Sequence, residues 1–523
     1  MKKFHSTNIF VSLLLVFVLN QLTFAQITST QVDSLVNLAL KKFNVAGASV
    51  AIVKDGKIIH EKGYGFKSVA TKEKVNEFTQ FEIASNSKAF TSAALAILVE
   101  EGKLNWTDKV VTHIPEFKMY NDYVTANFTI LDLLTHRSGL GLGAGDLMWW
   151  PDGSDFTIQD VLTGFQHFKP KSDFRTKYDY DNLLYLVAGE VIIRKSGMSW
   201  EDFIQTRILN PLEMTRSFPS LKAIKDKSNL ASPHKIVDGK LVPFENFSDM
   251  INGAAADMKA NVHDLSKWMI MHLNQGKYGD SLQFQLFTEA SQRQMWRIHT
   301  VIDGAPNKRY NTHFYGYGLG WGIRDVKGYK RVSHTGGLPG MLSTTIMIPD
   351  INLGMVILTN TDLGGSSLFN AVSNSILDSY LELEDNNWID FYDKRQQKSL
   401  HNADSVTTKI WEIVAKAKSK HIKPEDYIGV YEDAWFGIVE VFMNKGKLWL
   451  KSHRAPKLNG PMGFYKANTF AIKWEYQHMD GDVFALFSLD EEGKAQGITM
   501  KGISPNIDFS FDFQDLSFKR VED

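Results

Sequence analysis

A serine and a lysine three residues apart form the first pair whose types and spacing could do chemistry. Ser85 and Lys88 open an apolar run, residues 89–99, that ends close to Gly102 and is typical of a buried helix. Residues three apart share one helical face, so the lysine amine could take the hydroxyl proton and create a nucleophile. Backbone N–H groups at the helix start would favour a developing oxyanion. Taken alone, the pair fits a helix cap beside a solvated lysine at least as well.

Two more groups of polar residues follow in the chain. Tyr180 and Asn182 come just before the apolar residues 183–192, which predict a second helix. A His-Thr-Gly-Gly run lies in a predicted strand ahead of a late hairpin, and it comprises His334, Thr335, Gly336 and Gly337. In isolation, Tyr180 could be a core aromatic, Asn182 a helix cap, and His334 a histidine hydrogen-bonded within its strand. Their order along the chain is therefore more informative than any one of them.

The order Ser-x-x-Lys, Tyr-x-Asn, His-Thr-Gly resembles that of the serine β-lactamase and penicillin-binding-protein superfamily. The sequence is most similar to the class C-like branch, with its esterases and D-aminopeptidases. Further similar stretches extend the resemblance over about residues 32–360, and they lie at 133–140, 210–214, 264–268 and 317–321. The resemblance implies a serine hydrolase that forms an acyl-enzyme.

The resemblance also implies a role for each residue. Ser85 would attack a carbonyl carbon, and Lys88 together with Tyr180 would act as general base and later protonate the leaving group. Asn182 would orient Lys88 and the substrate amide. The backbone N–H groups of Ser85 and Gly337 would form the oxyanion hole, and the His-Thr-Gly-Gly strand would bind substrate.

His334 departs from the lysine that most β-lactamases and transpeptidases carry at this position. A lysine holds a fixed charge for a substrate carboxylate, whereas a histidine is largely neutral at pH 7, can relay a proton and titrates near ~6.5. We therefore expect β-lactams to be poorer substrates than small esters or peptide amides. Peptides, including D-residue or peptidoglycan-derived ones, are the leading substrate class. Esterase activity, β-lactamase activity and a non-catalytic sensor that binds penicillin or peptides are the alternatives.

Composition excludes several classes of protein. The formal net charge is −1 and no long basic run occurs, which argues against a nucleic-acid partner. The chain has no cysteine, so disulfides and thiolate metal sites are excluded. Its 15 histidines show no His-Glu-x-x-His spacing, and the glycine-rich residues 139–145 lack the Gly-Lys-Ser/Thr of a phosphate loop. We predict no metal, no cofactor and a small-molecule or peptide substrate; the sequence leaves the oligomeric state open.

The first residues of the chain have the features of a cleavable signal peptide. Residues 1–25 combine a charged start, an apolar stretch at 9–19 and a small-residue cleavage site at 23–25. The apolar stretch is much shorter than the ~20 residues that span a bilayer. We therefore expect no stable membrane span and a secreted or periplasmic protein.

At 523 residues, the chain is longer than a single core supports. Mixed helices and strands, with hairpins at 47–60 and 343–358, predict an α/β (α+β) domain over residues 26–385, in which helices flank a central antiparallel sheet. The resemblance implies that this is the serine hydrolase domain. Residues 386–423 are polar and predict a linker, so few contacts are expected between the parts it joins. Residues 424–523 alternate like short strands and predict a small all-β, barrel-like domain, which loosely resembles the lipocalin-like domains of some of these hydrolases.

Overall fold

The computed structural model describes residues 26–248, 250–304, 307–417 and 422–521. The predicted signal peptide, residues 1–25, lies outside the described residues, so its cleavage and the export of the protein stay predictions. Within the described part of the chain, no helix is long and apolar enough to cross a membrane.

Helices and strands alternate up to residue 416, and strands dominate after it. The α-helices are α1 (Ser29–Phe43), α2 (Ser87–Glu100), α3 (Val110–His113), α4 (Asp122–Asn127), α5 (Ile130–Leu134), α6 (Ile158–Gly164), α7 (Leu183–Ser196), α8 (Trp200–Ile204), α9 (Val262–Leu273), α10 (Glu289–Met295), α11 (Leu363–Tyr380) and α12 (Trp388–Lys416).

The strands up to residue 359 are β1 (Gly47–Lys54), β2 (Lys57–Gly65), β3 (Phe81–Glu82), β4 (His234–Val237), β5 (Lys240–Pro243), β6 (Lys259–Ala260), β7 (Lys277–Tyr278), β8 (Phe284–Gln285), β9 (Thr300–Val301), β10 (Tyr315–Tyr317), β11 (Gly322–Val326), β12 (Tyr329–Leu338), β13 (Met341–Ile348) and β14 (Leu353–Thr359). The later strands are β15 (Gly429–Asp433), β16 (Gly437–Asn444), β17 (Lys447–Ser452), β18 (Asn459–Lys466), β19 (Thr469–Ile472), β20 (Val483–Leu489), β21 (Ala495–Gly502) and β22 (Ser517–Arg520).

An eight-stranded antiparallel sheet forms the centre of the larger domain, in the order β2-β1-β14-β13-β12-β11-β10-β9. Both predicted hairpins are confirmed, because β1 pairs with β2 and β13 pairs with β14. Successive residues of β1 enter two different cores: Val50 and Ile52 pack with α1 and α11, whereas Ala51 and Val53 join the core that contains α9. Helices therefore cover both faces of the sheet, which explains why β1 and β14 are almost continuously apolar.

The C-terminal strands β15 to β22 close into an antiparallel barrel. Its interior is filled by alternate residues of the strands, among them the fully buried Tyr431, Val441, Leu450 and Phe487. The predicted fold class, a helix-flanked antiparallel sheet followed by a small all-β barrel, is thus confirmed.

The segment between the sheet domain and the barrel contains one long helix. Residues 386–423 are polar in sequence, yet α12 runs through them for 29 residues. It is polar on most of its surface and buries a narrow set of residues, and Trp388 at its start donates from Nε1 to Asp378 of α11 at 2.6 Å. The assignment of residues 386–423 as a linker, and the boundaries of the domains, stay predictions.

The barrel contacts the sheet domain through ion pairs and aromatic rings. Arg454 of the barrel bonds Asp155 at 2.7 Å and Asp160 at 2.9 and 3.0 Å. The rings of Trp435 and Phe168 pack with their centroids 4.9 Å apart. The expectation that few contacts cross between the two parts is therefore wrong, because the polar composition of the connecting segment says nothing about surfaces that meet elsewhere.

Candidate active site

Ser85 lies in a 3-10 turn, Ala84–Asn86, directly before the buried helix α2. The turn is tied to strand β13: Asn86 Nδ2 donates to Ser343 Oγ at 2.9 Å, and Ser343 Oγ donates to the Ile83 carbonyl at 2.8 Å. The side chain of Ser85 remains partly exposed and faces a cavity. The sheet thus holds the turn so that a hydroxyl at its centre points out of the core.

Lys88 lies within the first turn of α2 and is fully buried. Its Nζ makes hydrogen bonds to Ser85 Oγ at 3.1 Å, to Asn182 Oδ1 at 2.7 Å and to the Ala255 carbonyl at 3.0 Å. Two residues distant in sequence, Asn182 and Ala255, therefore hold the amine beside the hydroxyl of Ser85. The predicted neighbours Ser85, Lys88 and Asn182 are brought together.

Burial lowers the pKa of Lys88 to about 7, although the nearby carboxyls of Asp146 and Asp181 act to raise it. A large part of the amine is therefore neutral near pH 7. A neutral amine has two N–H donors and one lone pair. Asn182 Oδ1 and the Ala255 carbonyl can take both donors, which directs the lone pair toward the hydroxyl of Ser85.

Tyr180 packs its ring against the lysine, with Lys88 Nζ 4.9 Å from the ring centroid. Burial raises the pKa of Tyr180 well above its ordinary value, while a hydrogen bond with Ser85 acts in the opposite direction. Tyr180 is therefore a protonated phenol at neutral pH. Its phenolic hydrogen is retained for a strongly basic acceptor such as a leaving amine, whereas Lys88 is the group suited to accept a proton.

His334 lies on β12 and is buried against aromatic rings. Its Nε2 shares a hydrogen bond of 2.8 Å with the Tyr317 hydroxyl, and its Nδ1 lies 2.5 Å from the Thr335 carbonyl. Burial, followed by the charge of Lys88, lowers the pKa of His334 to about 3. The expected titration near 6.5 is therefore wrong for this residue, because the sequence does not reveal burial; the expected neutrality at pH 7 holds.

Strand β12 approaches the Ser85 turn so closely that only glycine fits. A Cβ at Gly336 would collide with the Ile83 carbonyl oxygen. Next to this contact lies a cavity of about 820 Å³. The predicted site residues that line it are Ser85, Tyr180, Asn182, His334, Thr335 and Gly337.

Asp146 is a site residue that the sequence analysis missed. It is fully buried, and it accepts hydrogen bonds from Asn182 Nδ2 at 2.7 Å, Ser510 Oγ at 2.7 Å and Trp149 Nε1 at 3.1 Å. Burial raises its pKa to about 7, against the effect of these hydrogen bonds. Asp146 follows the glycine-rich loop, and no residue spacing identifies such a lone carboxylate in advance.

The barrel supplies part of the cavity wall. Phe509 and Ser510 line the cavity, and the ring of Phe509 meets that of Tyr180 edge-on with centroids 5.8 Å apart. Asp512 accepts hydrogen bonds from the backbone N–H groups of Gly145 at 2.7 Å and of residue 147 at 3.0 Å. Residues 509–512 are more than 300 positions from Tyr180 in the chain, so sequence patterns could not place them here.

Comparison with known proteins agrees with this architecture. A family model described as beta-lactamase matches residues 32–371, and a second, described as a domain of unknown function (DUF3471), matches residues 415–520.

The chain is 30% identical over 347 residues to Protein flp of Staphylococcus aureus (strain N315), a match that covers 63% of this chain and 62% of the relative. It is 25% identical over 384 residues to the Unguisins hydrolase ungD' of Aspergillus campestris, covering 70% of this chain and 69% of that protein. The match to Protein flp thus spans under two thirds of that protein.

Among solved structures, the octameric penicillin-binding protein homologue from Pyrococcus abyssi superimposes with a TM-score of 0.59 at 20% identity, covering 94% of this chain and 99% of that chain. This similarity concerns the fold of both parts of the molecule.

Proposed function

Because the chain belongs to the β-lactamase family of serine hydrolases, we propose that it cleaves amide or ester bonds through an acyl-enzyme on Ser85. The observation that carries the proposal is the 3.1 Å hydrogen bond between Lys88 Nζ and Ser85 Oγ, made by an amine whose pKa burial lowers to about 7. A non-catalytic sensor needs no base beside a serine, so this geometry argues against that alternative.

The proposed reaction has two halves. Lys88 Nζ takes the proton of Ser85 Oγ while Oγ bonds to the substrate carbonyl carbon, and backbone N–H groups of Ser85 and Gly337 stabilise the oxyanion as the family resemblance implies. Tyr180 then gives its phenolic proton to the leaving nitrogen or oxygen as that bond breaks, and Lys88 returns a proton to Tyr180. In the second half, water gives a proton to Lys88 Nζ and bonds to the carbon of the acyl-enzyme ester. Lys88 returns that proton to Ser85 Oγ as the bond between Oγ and the acyl carbon breaks.

Peptide amides, including D-residue ones, are the substrates we propose first, with esters next and β-lactams last. The neutral imidazole of His334 supports this order, since it offers no fixed cation to a carboxylate of a penicillin. The signal-like residues 1–25 support action outside the cytoplasm.

A substrate panel tests the proposal. The purified protein is assayed with D- and L-aminoacyl amides, short peptides, small esters and a penicillin, and intact mass is recorded during turnover. We expect a transient mass increase equal to the acyl group, and penicillin turnover below that of the best ester or amide. Absence of turnover and of any adduct across the panel would favour the sensor, and penicillin as the best substrate would make the protein a β-lactamase.

The pH profile is expected to follow Lys88. Only the neutral amine accepts a proton, so kcat/KM should rise with pH through about 7 and fall about tenfold per unit below it. We call this decline below pH 7 the acid limb. His334, whose pKa is about 3, should not contribute to it. The measurement is kcat/KM for an uncharged ester from pH 5 to 9 in the wild type and in His334→Gln. Loss of the limb near 7 in His334→Gln would assign it to the histidine instead.

The substitution Ser510→Ala tests whether the barrel influences the pKa of Lys88. Ser510 donates to Asp146 and lowers its pKa, and the charge of Asp146 raises the pKa of Lys88. Without that hydrogen bond, Asp146 is protonated over more of the pH range, so the acid limb should move to lower pH. Relative to its own plateau, kcat/KM of the variant below pH 7 should therefore be higher than that of the wild type.

Ser488→Ala serves as the control, since Ser488 belongs to the same barrel and is exposed. Its profile should match that of the wild type. If Ser510→Ala lowers the melting temperature but leaves the acid limb in place, the contact is structural and the proposed influence on Lys88 is wrong.

A further inference from the structure

The cavity that contains Ser85 extends to a second polar region, which is lined by residues of β11 and of the first half of β12. There Arg324 of β11 and Arg331 of β12 lie directly opposite each other in the antiparallel ladder. Like charges in such a position destabilise a sheet. The Nε atoms of both side chains are buried and have no hydrogen-bond partner within the described residues. The pair therefore keeps unused donors beside the cavity.

Arg395 of α12 adds a third positive charge to the same part of the cavity wall. Burial raises the pKa of Tyr392, whereas the charges of Arg395, Arg331 and Arg324 each act to lower it. The three guanidinium groups therefore lie close enough to Tyr392 to affect the pKa of its hydroxyl. Asn374 Nδ2 donates to the Tyr392 hydroxyl at 3.0 Å, so the phenolic hydrogen can point to a ligand. We refer to Arg324, Arg331 and Arg395 as the arginine cluster.

Two carboxylates near the arginine cluster have other partners. Asp378 bonds Arg309 at 2.6 Å and accepts from the Tyr310 hydroxyl at 2.8 Å and from Trp388 Nε1 at 2.6 Å. Asp325 accepts two backbone N–H groups at 2.8 and 3.1 Å. Burial and the charge of a second arginine are the largest effects on the pKa of Arg331, and both lower it. The charge of the cluster is thus left for a ligand to neutralise.

Strand β12 links the arginine cluster to the Ser85 turn. Arg331 and Gly336 are five positions apart in it, and a strand rises ~3.3 Å per residue, so the two regions are roughly 16 Å apart. We propose that the arginine cluster binds a carboxylate of the substrate about five extended residues from the bond that Ser85 attacks. This inference rests on the proposed function of Ser85 and names the substrate class: peptides with a distal acidic group.

The chemistry of the cluster explains the choice of ligand. A guanidinium presents paired N–H donors that match both oxygens of a carboxylate or phosphate. The asparagines 370 and 374, which line the same region, add neutral amide donors and acceptors. An extended peptide that lies along β12 would bring a terminal or side-chain carboxylate to the arginine cluster. A phosphate would use the same donors, so the experiment must separate the two anions.

The first arm measures anion binding without turnover. Full-length Ser85→Ala protein is titrated calorimetrically with glutarate, and separately with inorganic phosphate, at ionic strength matched with sodium chloride. We expect glutarate to bind, and Arg331→Met or Arg324→Gln in the same background to bind it about tenfold or more weakly. Arg293→Gln is the control, because Arg293 is an exposed residue paired with Glu289 on α10. Its affinity should not change.

The second arm measures recognition during catalysis. Peptides cleaved by the active protein are compared with a free carboxylate and with an amide five residues beyond the scissile bond. We expect the carboxylate form to have at least about tenfold higher kcat/KM, and this ratio to approach one in Arg331→Met and in Arg324→Gln.

The outcomes are distinguishable. Equal glutarate affinity in wild-type and Arg-substituted proteins, in variants whose melting temperatures show that they fold, overturns the proposal. Tighter binding of phosphate than of glutarate overturns the carboxylate assignment. A carboxylate preference that persists in both variants overturns the assignment of the arginine cluster as the recognition site, and a ratio near one in the wild type overturns the substrate class. If esters but no peptides are cleaved, the substrate class is wrong and the proposed function stands. If neither is cleaved, the proposed function fails, and the calorimetric arm still decides whether the cluster binds a carboxylate.

Discussion

Ser85→Ala is expected to abolish turnover and to prevent covalent labelling by a fluorophosphonate or β-lactam probe, while the fold is retained. The hydroxyl supplies the atom that bonds to the acyl group, and loss of a serine nucleophile costs on the order of 10⁶ in kcat where single substitutions have been compared. The side chain is small, partly exposed and faces the cavity, so its removal leaves no core void. Intact mass after probe treatment, turnover of the best substrate and the melting temperature are the measurements.

The chain contains a matched control for this substitution. Ser232 and Lys235 have the same Ser-x-x-Lys spacing, but Lys235 lies in strand β4 and pairs with Asp480 at 2.9 Å. Ser232→Ala should change kcat by less than about twofold, as expected for a substitution away from a special feature. Labelling of Ser85→Ala at the wild-type level would remove Ser85 as the nucleophile.

Lys88→Met should slow acylation by roughly 10² to 10⁴, the usual contribution of a general base. Methionine is similar in length and apolar, so it can occupy the buried site of Lys88 without carrying a proton acceptor. The acid limb near pH 7 should disappear with the amine, which separates loss of the base from a general loss of structure. Single-turnover acylation across the pH range, together with the melting temperature, measures both effects.

Lys235→Met is the corresponding control for the lysine, since Lys235 is held by an ion pair with the exposed Asp480 rather than beside a cavity serine. It should acylate at the wild-type rate and keep the acid limb. If Lys88→Met acylates within about twofold of the wild type, Lys88 is not the base, whatever its distance from Ser85.

The geometry around Lys88 depends on both parts of the molecule. Ser510 of the barrel bonds Asp146, Asp146 bonds Asn182, and Asn182 bonds Lys88, which reaches Ser85. Buried polar chains of this kind are sensitive to the loss of any member, because an unpaired buried group is costly. The barrel is therefore part of the candidate site and of its electrostatics.

Local patterns in the sequence predicted the elements that carry the motifs. The apolar runs after Lys88 and after Asn182 form α2 and α7, and the turns at 55–56 and 349–350 separate the paired strands of the two hairpins. Alternation of apolar residues after residue 424 predicted the barrel strands. These features depend on neighbours a few residues apart, so periodicity and turn chemistry suffice to predict them.

By itself, the sequence determined the class of fold, the order of the motifs and the residue types available for acyl transfer. The tertiary structure decided which of them meet and that Asp146 and Ser510 join them. It also placed Arg324 and Arg331 opposite each other on adjacent strands, where both line the cavity. It also decided the protonation of the site: burial brings the pKa of Lys88 to about 7 and moves that of His334 to about 3. Both burial and contacts between residues hundreds of positions apart depend on how the chain packs. Patterns among neighbouring residues therefore predict neither of them.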